Sequence, residues 1–409
     1  MHLAESVFLI FAQMKRKINR KYLKMKINVI QLFRVINMIL KNAQILDENF
    51  KFIQGDLVIE NEKIKGINVE DSEGTVIDCT GLKILPGFID IHIHGTGGAD
   101  VCDAKSESIQ TMSVNLTRHG VTSFCPTTMT LSSEELVDIF GVVAGEKGKE
   151  KGAYIHGINM EGPFISLAKK GAQKAEHVRK PDTEEFKKLN SICNVSVVDI
   201  APEEDENNAF SKEVSKICTV SAAHTSADGE TAKKSFENGI THATHLFNAM
   251  TGISARVPGV AGAVFDSDTV RAEIICDGFH VNPITLRMAF KTLGEDRTIV
   301  ISDSMKAADC PDGEYMLGGQ TVYVRDGKAL LADGTIAAST SNLFDEFKNL
   351  LSFGIDFTHA VKSCTINPAK AIGQDKITGS IEKGKFADLL IIDEDFNIKN
   401  VFVKGKKVI

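Results

Sequence analysis

The chain has 409 residues, of which 43% are hydrophobic and 25% charged, and its formal net charge is −7 at pH 7. This length and composition are typical of a globular protein with a large core, and no apolar run approaches the length of a membrane-spanning helix. The eight cysteines include no C-x-x-C pair, which argues against a disulfide framework or a zinc knuckle and predicts reduced thiols in a cytoplasmic protein.

The first 37 residues differ from the rest of the chain in charge. They hold eight Lys and Arg against one acid, Glu5, and removing this local +7 from the net charge leaves −14 on the remainder. An acidic body argues against a nucleic-acid surface. The apolar residues 6–12 precede the basic ones, which is not the layout of a secretory signal. Residues 1–37 are therefore predicted to be a non-native or disordered extension ahead of Met38, with a genuine membrane- or nucleic-acid-binding arm as the alternative.

Both ends of the remaining chain show the pattern of short strands. Apolar alternation and turn residues such as Gly55 and Asn61-Glu62 predict the N-terminal set over 38–46, 57–60, 63–67, 75–79 and 83–85. The C-terminal set is predicted over 379–381, 388–392, 398–403 and 406–409. The simplest arrangement joins them in one small β-sandwich domain, residues 38–87 plus 377–409.

Residues 88–376 alternate buried strands with helices. Strands are predicted over 88–94, 122–127, 153–160, 195–201, 218–223, 241–246, 271–276 and 298–302. Helices are predicted over 106–118, 132–143, 183–189, 206–217, 229–238, 282–291, 342–353 and 358–372, with a hairpin over 316–331. Eight β/α units indicate an α/β protein with a (β/α)8 TIM-type barrel more readily than an open sheet. No G-x-G-x-x-G follows a strand, which argues against a dinucleotide site.

Metal-binding residue types stand at the carboxyl ends of these strands, where a barrel places its active site. In a strand, His92 and His94 are two apart and so point to the same face. Four imidazoles with one or two carboxylates form a ligand set for one or two divalent ions such as zinc, iron, manganese or cobalt. The residues at the strand ends are His92, His94, Glu161, His224, His245, Asp277, His280 and Asp303.

Other histidines have structural interpretations. His119 precedes a glycine at a helix end and is predicted to cap it. His242 lies three residues before His245, so it faces away from it and is predicted to be structural or to support a ligand. Taken singly, His224 and His245 fit a core histidine as well as a ligand; together with the acids at neighbouring strand ends they favour a metal site.

These residue types predict metal-assisted hydrolysis. A metal with three protein ligands and an open position lowers the pKa of its water toward neutrality. Asp303, at the end of the last strand, is the candidate to take a proton from that water and return it to a leaving group. His280 is the candidate to polarise a carbonyl or stabilise an oxyanion.

Several short motifs stand in a fixed order from residue 86 to residue 303. They are PGFIDIHIHG from Pro86, MEGPF from Met160, KKGA from Lys169, AHT from Ala223, THLFNAM from Thr244, RVPG from Arg256, DGFHV from Asp277, and SD from Ser302. With these motifs the chain from Met38 onward resembles the amidohydrolase superfamily, and within it the N-acetylglucosamine-6-phosphate deacetylase family. The resemblance implies hydrolysis of the N-acetyl group of that sugar phosphate to glucosamine 6-phosphate and acetate, a step of amino-sugar catabolism.

The resemblance also implies a ligand set. It assigns the catalytic metal to Glu161, His224 and His245, and it makes Asp303 the general acid and base. Some members of the family lack the His-x-His pair and use one metal. Because this chain keeps His92 and His94, a second metal is expected to be bound by this pair.

The substrate contacts implied by the resemblance lie on later loops. His280 contacts the substrate, and the backbone around Asn248 and Ala249 binds the sugar phosphate. Arg256 binds the phosphate from the neighbouring subunit of a homodimer, as a guanidinium offers parallel donors and a permanent charge. Gln173 stands where some members have a histidine and is expected to hydrogen-bond a sugar hydroxyl.

Two alternatives remain open. One is a related hydrolase, acting on N-acetylgalactosamine 6-phosphate or on a cyclic amide, although cyclic-amide hydrolases usually use a carbamylated lysine where this chain has Glu161. The other is a sugar-phosphate-binding protein without catalysis, whose mark would be the loss of Asp303 or of a ligand. No such loss occurs in the sequence.

Overall fold

The computed structural model describes residues 37–70 and 74–409. The predicted basic extension, apart from Asn37, lies outside the described residues. Within them, no helix is both long enough and apolar enough to cross a membrane.

Eight parallel strands form a nearly closed barrel. Each strand pairs with the next along the chain, from the first through to the eighth. The gap between the eighth and the first is bridged by backbone hydrogen bonds, from Asp303 N to His92 O at 3.0 Å and from His94 N to Ser304 O at 2.9 Å. In order, the strands are Phe88–Ile93, Val121–Thr128, Tyr154–Ile155 with Ile158–Glu161, Val195–Ile200, Thr219–Ala222, Ile240–Ala243, Arg271–Ile274 and Thr298–Val300.

Of the strands that end earlier than the sequence predicts, three stop just before residues of the predicted site. His224, His245 and Asp303 have φ angles of +43°, +31° and +46°, which a β-strand does not accommodate. Each strand therefore stops, and the chain turns sharply at the residue whose side chain enters the centre of the barrel.

Helices cover the outside of the barrel at most of the predicted places. A capping box of Ser132 and Glu135 is present at the start of the second one. The helix predicted over 358–372 is split at Thr365, and the one predicted over 206–217 is short because Asn207 and Asn208 have positive φ. Val260–Asp266 was not predicted to be helical. The helices are Ser106–Thr117, Ser133–Glu146, Thr183–Ile192, Ala209–Val214, Gly229–Phe236, Val260–Asp266, Pro283–Leu293, Leu343–Ser352, Phe357–Cys364 and Ile366–Ala371.

Both ends of the described chain meet in a second sheet, as predicted. Lys83–Pro86 pairs antiparallel with Leu389–Ile392, with Ile84 opposite Ile391. The eight strands form one branched sheet, because three of them pair with Asn37–Leu46. Gly55 lies inside a strand and not in a turn, and residues 379–381 form no strand. The strands are Asn37–Leu46, Phe52–Glu60, Lys63–Ile67, Thr75–Asp78, Lys83–Pro86, Leu389–Ile392, Ile398–Val403 and Lys406–Lys407.

A four-stranded sheet is inserted after the eighth barrel strand, where the sequence predicts only a hairpin. A turn at Asp326 and Gly327 joins two of its strands, with positive φ at both residues. The fourth strand, Ile336–Ala338, lies at the edge of the central pocket. The other three strands are Gly313–Leu317, Gln320–Arg325 and Lys328–Leu330.

An aromatic cluster packs the barrel against the terminal sheet. Phe347 is fully buried, and its ring centroid lies 5.3 Å from that of Phe88 on the first barrel strand. On its other side it lies 6.0 Å from Phe396, in the turn between two strands of the terminal sheet. This single side chain therefore contacts both parts of the fold.

Candidate active site

A pocket of about 400 Å³ opens at the carboxyl ends of the barrel strands. It is the place where the fold brings the predicted residues together, although they are spread over more than 200 positions of the sequence. Its lining includes His94, Glu161, Gln173, His224, His245, Asn248, Ala249, His280 and Asp303.

Glu161, His224 and His245 converge on one point. The Nε2 atoms of the two histidines lie 3.0 and 3.2 Å from Oε1 of Glu161, and 3.2 Å from each other. Ligands of an ion with bonds of about 2.0–2.1 Å in tetrahedral geometry are separated by about 3.3–3.4 Å. The three atoms therefore have the spacing of a metal-ligand set.

The opposite ring nitrogens of these histidines determine which nitrogen faces Glu161. Nδ1 of His224 lies 2.9 Å from the backbone oxygen of Lys169, and Nδ1 of His245 lies 3.2 Å from that of Asn248. A backbone oxygen can only accept, so Nδ1 carries the proton in each ring. Two Nε2 lone pairs and a carboxylate oxygen are then left facing each other, an arrangement that fits a cation.

A second group lies beside the first. Nε2 of His94 is 3.2 Å from Oδ1 of Asp303, and Nε2 of His92 is 3.6 Å from the same oxygen. Nδ1 of His94 lies near the backbone oxygen of Thr127, and Nδ1 of His92 lies 3.1 Å from Oε2 of Glu273. Nε2 of His92 is buried and has no hydrogen-bond partner within the part of the chain that the structure describes. The donor types, spacing and unpartnered nitrogen fit a second cation.

The acids and imidazoles of the centre shift one another's pKa values. Burial alone would raise the pKa of Glu161, but its contacts with His224 and His245 hold it well below the usual range. Burial alone would lower the pKa of His92, but the negative charge of Asp303 and the contact with Glu273 raise it well above the usual range. The acids therefore favour positive charge at this position, which a bound proton or a metal ion would supply.

His280 enters the pocket from the loop after the seventh strand. Its Nδ1 lies 2.7 Å from Oδ2 of Asp277, and Oδ1 of Asp277 accepts from the backbone N–H groups of Phe279 and His280, both at 2.8 Å. Burial acts to raise the pKa of Asp277, but the contact and charge of His280 lower it. Asp277 therefore fixes the ring and leaves Nε2 of His280 available to the pocket.

The predicted substrate residues have different surroundings. Gln173 is buried, donates from Nε2 to Oε2 of Glu161 at 2.6 Å, and accepts from the backbone N–H of Thr130 at 2.7 Å. Nδ2 of Asn248 is buried without a partner. Arg256 is exposed and is not part of the pocket lining of its own chain. In this structure Gln173 thus contacts a ligand-type carboxylate, and its contact with a sugar stays a prediction.

Sequence reasoning missed two buried acids next to these groups. Asp199 lies within the fourth strand and Glu273 within the seventh, so a search at strand ends passes over them. The available signal was one acidic residue inside each of these predicted strands. His242, predicted to be structural or supporting, lies 3.4 Å from Oε1 of Glu273. His119 does not cap a helix through its ring, because its Nε2 pairs with Asp309 at 2.8 Å.

Comparisons with known proteins identify the family of the chain. The sequence model described as "Amidohydrolase family" matches residues 84–408. The N-acetylglucosamine-6-phosphate deacetylase of Bacillus subtilis is 35% identical over 381 residues, covering 90% of this chain and 96% of the relative. The human protein of the same name is 30% identical over 390 residues, covering 90% of this chain and 93% of the relative.

Solved structures give the same result. The crystal structure of the N-acetylglucosamine-6-phosphate deacetylase from Pasteurella multocida superposes with a TM-score of 0.84 at 31% identity, covering 91% of this chain and 99% of the other. A mutant of the Mycobacterium smegmatis deacetylase, solved in complex with N-acetyl-D-glucosamine-6-phosphate, gives a TM-score of 0.84 at 28% identity, covering 92% and 99%.

Proposed function

The chain belongs to the amidohydrolase family, and we infer that it is an enzyme that hydrolyses the N-acetyl group of N-acetyl-D-glucosamine 6-phosphate to D-glucosamine 6-phosphate and acetate. The observation that carries this conclusion is the convergence of Glu161, His224 and His245 in a pocket that Asp303 and His280 also line. Relatives that match most of the chain carry the name of this activity.

We propose that Glu161, His224 and His245 hold the catalytic divalent ion, and that His92 and His94 contribute to a second one. Zinc, iron, manganese and cobalt all suit these donors. Such an ion supplies Lewis acidity and a water whose pKa is lowered toward neutrality. Gln173 supports the site by holding the second oxygen of Glu161, so that Oε1 stays turned toward the two imidazoles.

Asp303 and His280 carry out the proton transfer and the polarisation of the substrate in this proposal. Asp303 takes a proton from the attacking water and delivers it to the amide nitrogen, which leaves as the amine of the product. His280 donates a hydrogen bond from Nε2 to the acyl oxygen, where negative charge develops. Asp277 holds the ring of His280 in the orientation that this donation needs.

The main test is metal-dependent release of acetate from N-acetylglucosamine 6-phosphate. Asp303→Asn should lower the rate constant kcat by at least about 100-fold while substrate binding stays within about threefold, because general acid–base catalysis contributes about 10²–10⁴-fold. Asp309→Asn is the matched control, since Asp309 also has positive φ and contacts a histidine, but lies outside the pocket. Metal-loaded wild-type protein that binds this sugar phosphate without turning it over would refute the assignment.

We propose that the phosphate is bound by the backbone around Asn248 and Ala249 together with Arg256 from the second subunit of a homodimer. The exposure of Arg256 and its absence from the lining of its own chain's pocket support a role in another subunit. Arg256→Ala should raise KM for the phosphorylated sugar by about 10- to 100-fold. The exposed Arg325 gives a control, as Arg325→Ala should leave KM unchanged.

Mixing variants separates a contact between subunits from one within a subunit. A dimer of one Arg256→Ala chain and one Asp303→Asn chain has one pocket with both residues intact if Arg256 acts across the interface. Random exchange should then restore about a quarter of wild-type activity. No restoration, in a mixture shown to contain mixed dimers, would contradict the role of Arg256 in the partner's pocket.

We further propose the division of the chain that the sequence suggests. Residues 38–87 plus 377–409 form the small β-sandwich domain, residues 88–376 form a complete (β/α)8 hydrolase barrel, and the enzyme acts in the cytoplasm on a small molecule. Deletion of residues 1–37 is expected to leave the melting temperature Tm and the rate of acetate release unchanged. A loss of either would show that the extension belongs to the working enzyme.

A further inference from the structure

Asp199 is a buried acid that none of the steps above uses. It lies on the fourth barrel strand directly opposite Glu161 on the third, in a parallel register that places both side chains on the inner face of the barrel. Two neighbouring carboxylates without a positive charge between them repel each other. Within the described residues, no Lys or Arg forms an ion pair with either.

One oxygen of Asp199 is satisfied and the other is not. Oδ1 accepts a hydrogen bond from Oγ1 of Thr244 at 2.7 Å. Oδ2 is buried in a residue with 0% exposure and has no hydrogen-bond partner among the described residues. An unsatisfied buried polar atom is costly, so the position calls for a partner outside the protein chain.

A second unpartnered atom belongs to a residue next to Asp199. Nε2 of His92 is buried without a partner, and the contact of its Nδ1 with Glu273 places the ring proton on the opposite side. Ligand-type atoms of His92, Glu161 and Asp199 all lie within 4.8 Å of one another. Two carboxylate oxygens and an imidazole lone pair form a donor set for a divalent cation.

We propose that Asp199 is a direct ligand of a divalent cation, which it holds together with His92 and Glu161. His92 otherwise belongs with His94 and Asp303, and Glu161 with His224 and His245, so Asp199 lies where the two groups meet. The carboxylate adds an oxygen donor and a negative charge to the ion of the histidine pair. This inference rests on the proposed metal-dependent function and extends its ligand set by one residue.

The test measures metal binding and not only activity. Metal-free wild-type protein, Asp199→Asn and a control are titrated with Zn²⁺ and, separately, with Mn²⁺, and the number of bound ions, their affinities and the rise in Tm are recorded. Loss of a residue that merely supports a ligand costs about 10–100-fold in metal affinity. For Asp199→Asn we expect one ion to bind at least about 100-fold more weakly, with a smaller metal-induced rise in Tm.

Asp388→Asn is the matched control, because Asp388 is a buried carboxylate of the terminal sheet that contacts Tyr154 and Thr378 and belongs to no ligand group. It should bind the same number of ions as the wild type with the same affinities. Equal binding by Asp199→Asn, with affinities within about threefold of wild type, would overturn the proposal for Asp199 alone. A wild-type protein that binds no divalent ion would overturn the proposed function as well.

A measurement on the wild type covers the case in which Asp199→Asn does not fold. In a crystal structure of the metal-loaded wild-type protein, Oδ2 of Asp199 should lie about 2.0–2.2 Å from an ion, the usual distance for a carboxylate ligand. An ion held by His92 and Glu161 with Oδ2 more than about 3 Å away would overturn the proposal.

Discussion

The contact between Asp277 and His280 gives the sharpest test of the catalytic geometry. Asp277→Asn keeps a side-chain oxygen that can accept from the two backbone N–H groups, so the turn is retained. It replaces the oxygen that contacts Nδ1 of His280 at 2.7 Å with an N–H₂ group, which can only donate. The ring loses both its anchor and the negative charge that supports its donation to the acyl oxygen.

The size of the effect follows from this one contact. A hydrogen bond to a charged group contributes about 1.5–3 kcal/mol, and each 1.36 kcal/mol of barrier is tenfold in rate. If the contact acts mainly in the transition state, kcat should fall by about 10- to 150-fold while KM changes by less than about threefold.

The assay follows acetate release at saturating and limiting substrate, so that kcat and KM are obtained separately. Asp182→Asn is the matched control, because Asp182 accepts from two backbone N–H groups at 2.8 and 3.0 Å at the start of a helix, with no histidine attached. This control should retain wild-type kinetics. A folded Asp277→Asn enzyme with kcat within about twofold of wild type would refute the positioning role of Asp277.

Further predictions concern stability and metal. Arg179 donates two hydrogen bonds to Glu185, and these lower the pKa of that acid although burial raises it. Arg179→Gln should therefore lower the free energy of unfolding by about 1–3 kcal/mol above pH 4.3. The loss should become progressively smaller as the pH falls through the lowered pKa. Urea unfolding at pH 7 and pH 3 measures this, and an equal cost at both would contradict the ion pair. Phe347→Ala should lower the free energy of unfolding by about 3–5 kcal/mol, measured by urea unfolding, and a loss below about 1 kcal/mol would contradict its packing role. Dialysis against a chelator should abolish acetate release and lower Tm, and added Zn²⁺ or Mn²⁺ should restore both; full activity without metal would contradict the site.

The sequence predicted which residues lie together at the carboxyl ends of the strands, and their roles there stay a prediction. His92, Glu161, His224, His245 and Asp303 each mark the end of a buried strand, and parallel strands of one barrel bring such ends together. What the sequence could not reveal was the positive φ at three of these residues, because nothing in their residue type requires it. The predicted strands were therefore too long.

Residues inside strands were harder to interpret. Asp199 and Glu273 are as buried as the apolar residues around them, and whether such an acid faces the barrel interior depends on the register between strands. Tertiary context also decided the split at Thr365 and the fourth inserted strand, Ile336–Ala338. The three residues of this strand are too few for a recognisable alternation of apolar and polar side chains, yet the strand forms part of the pocket rim.

The pairing of Lys83–Pro86 with Leu389–Ile392 has a consequence for how the protein is made. During synthesis the first strands of the terminal sheet leave the ribosome roughly 300 residues before their partners, which at about 5–20 residues per second is a wait of about 15–60 seconds. Through that interval the inner edge of Lys83–Pro86 is unpaired and open to other chains. The barrel can form in the meantime, but the sheet is completed last. Aggregation of nascent chains should therefore depend strongly on the rate of translation.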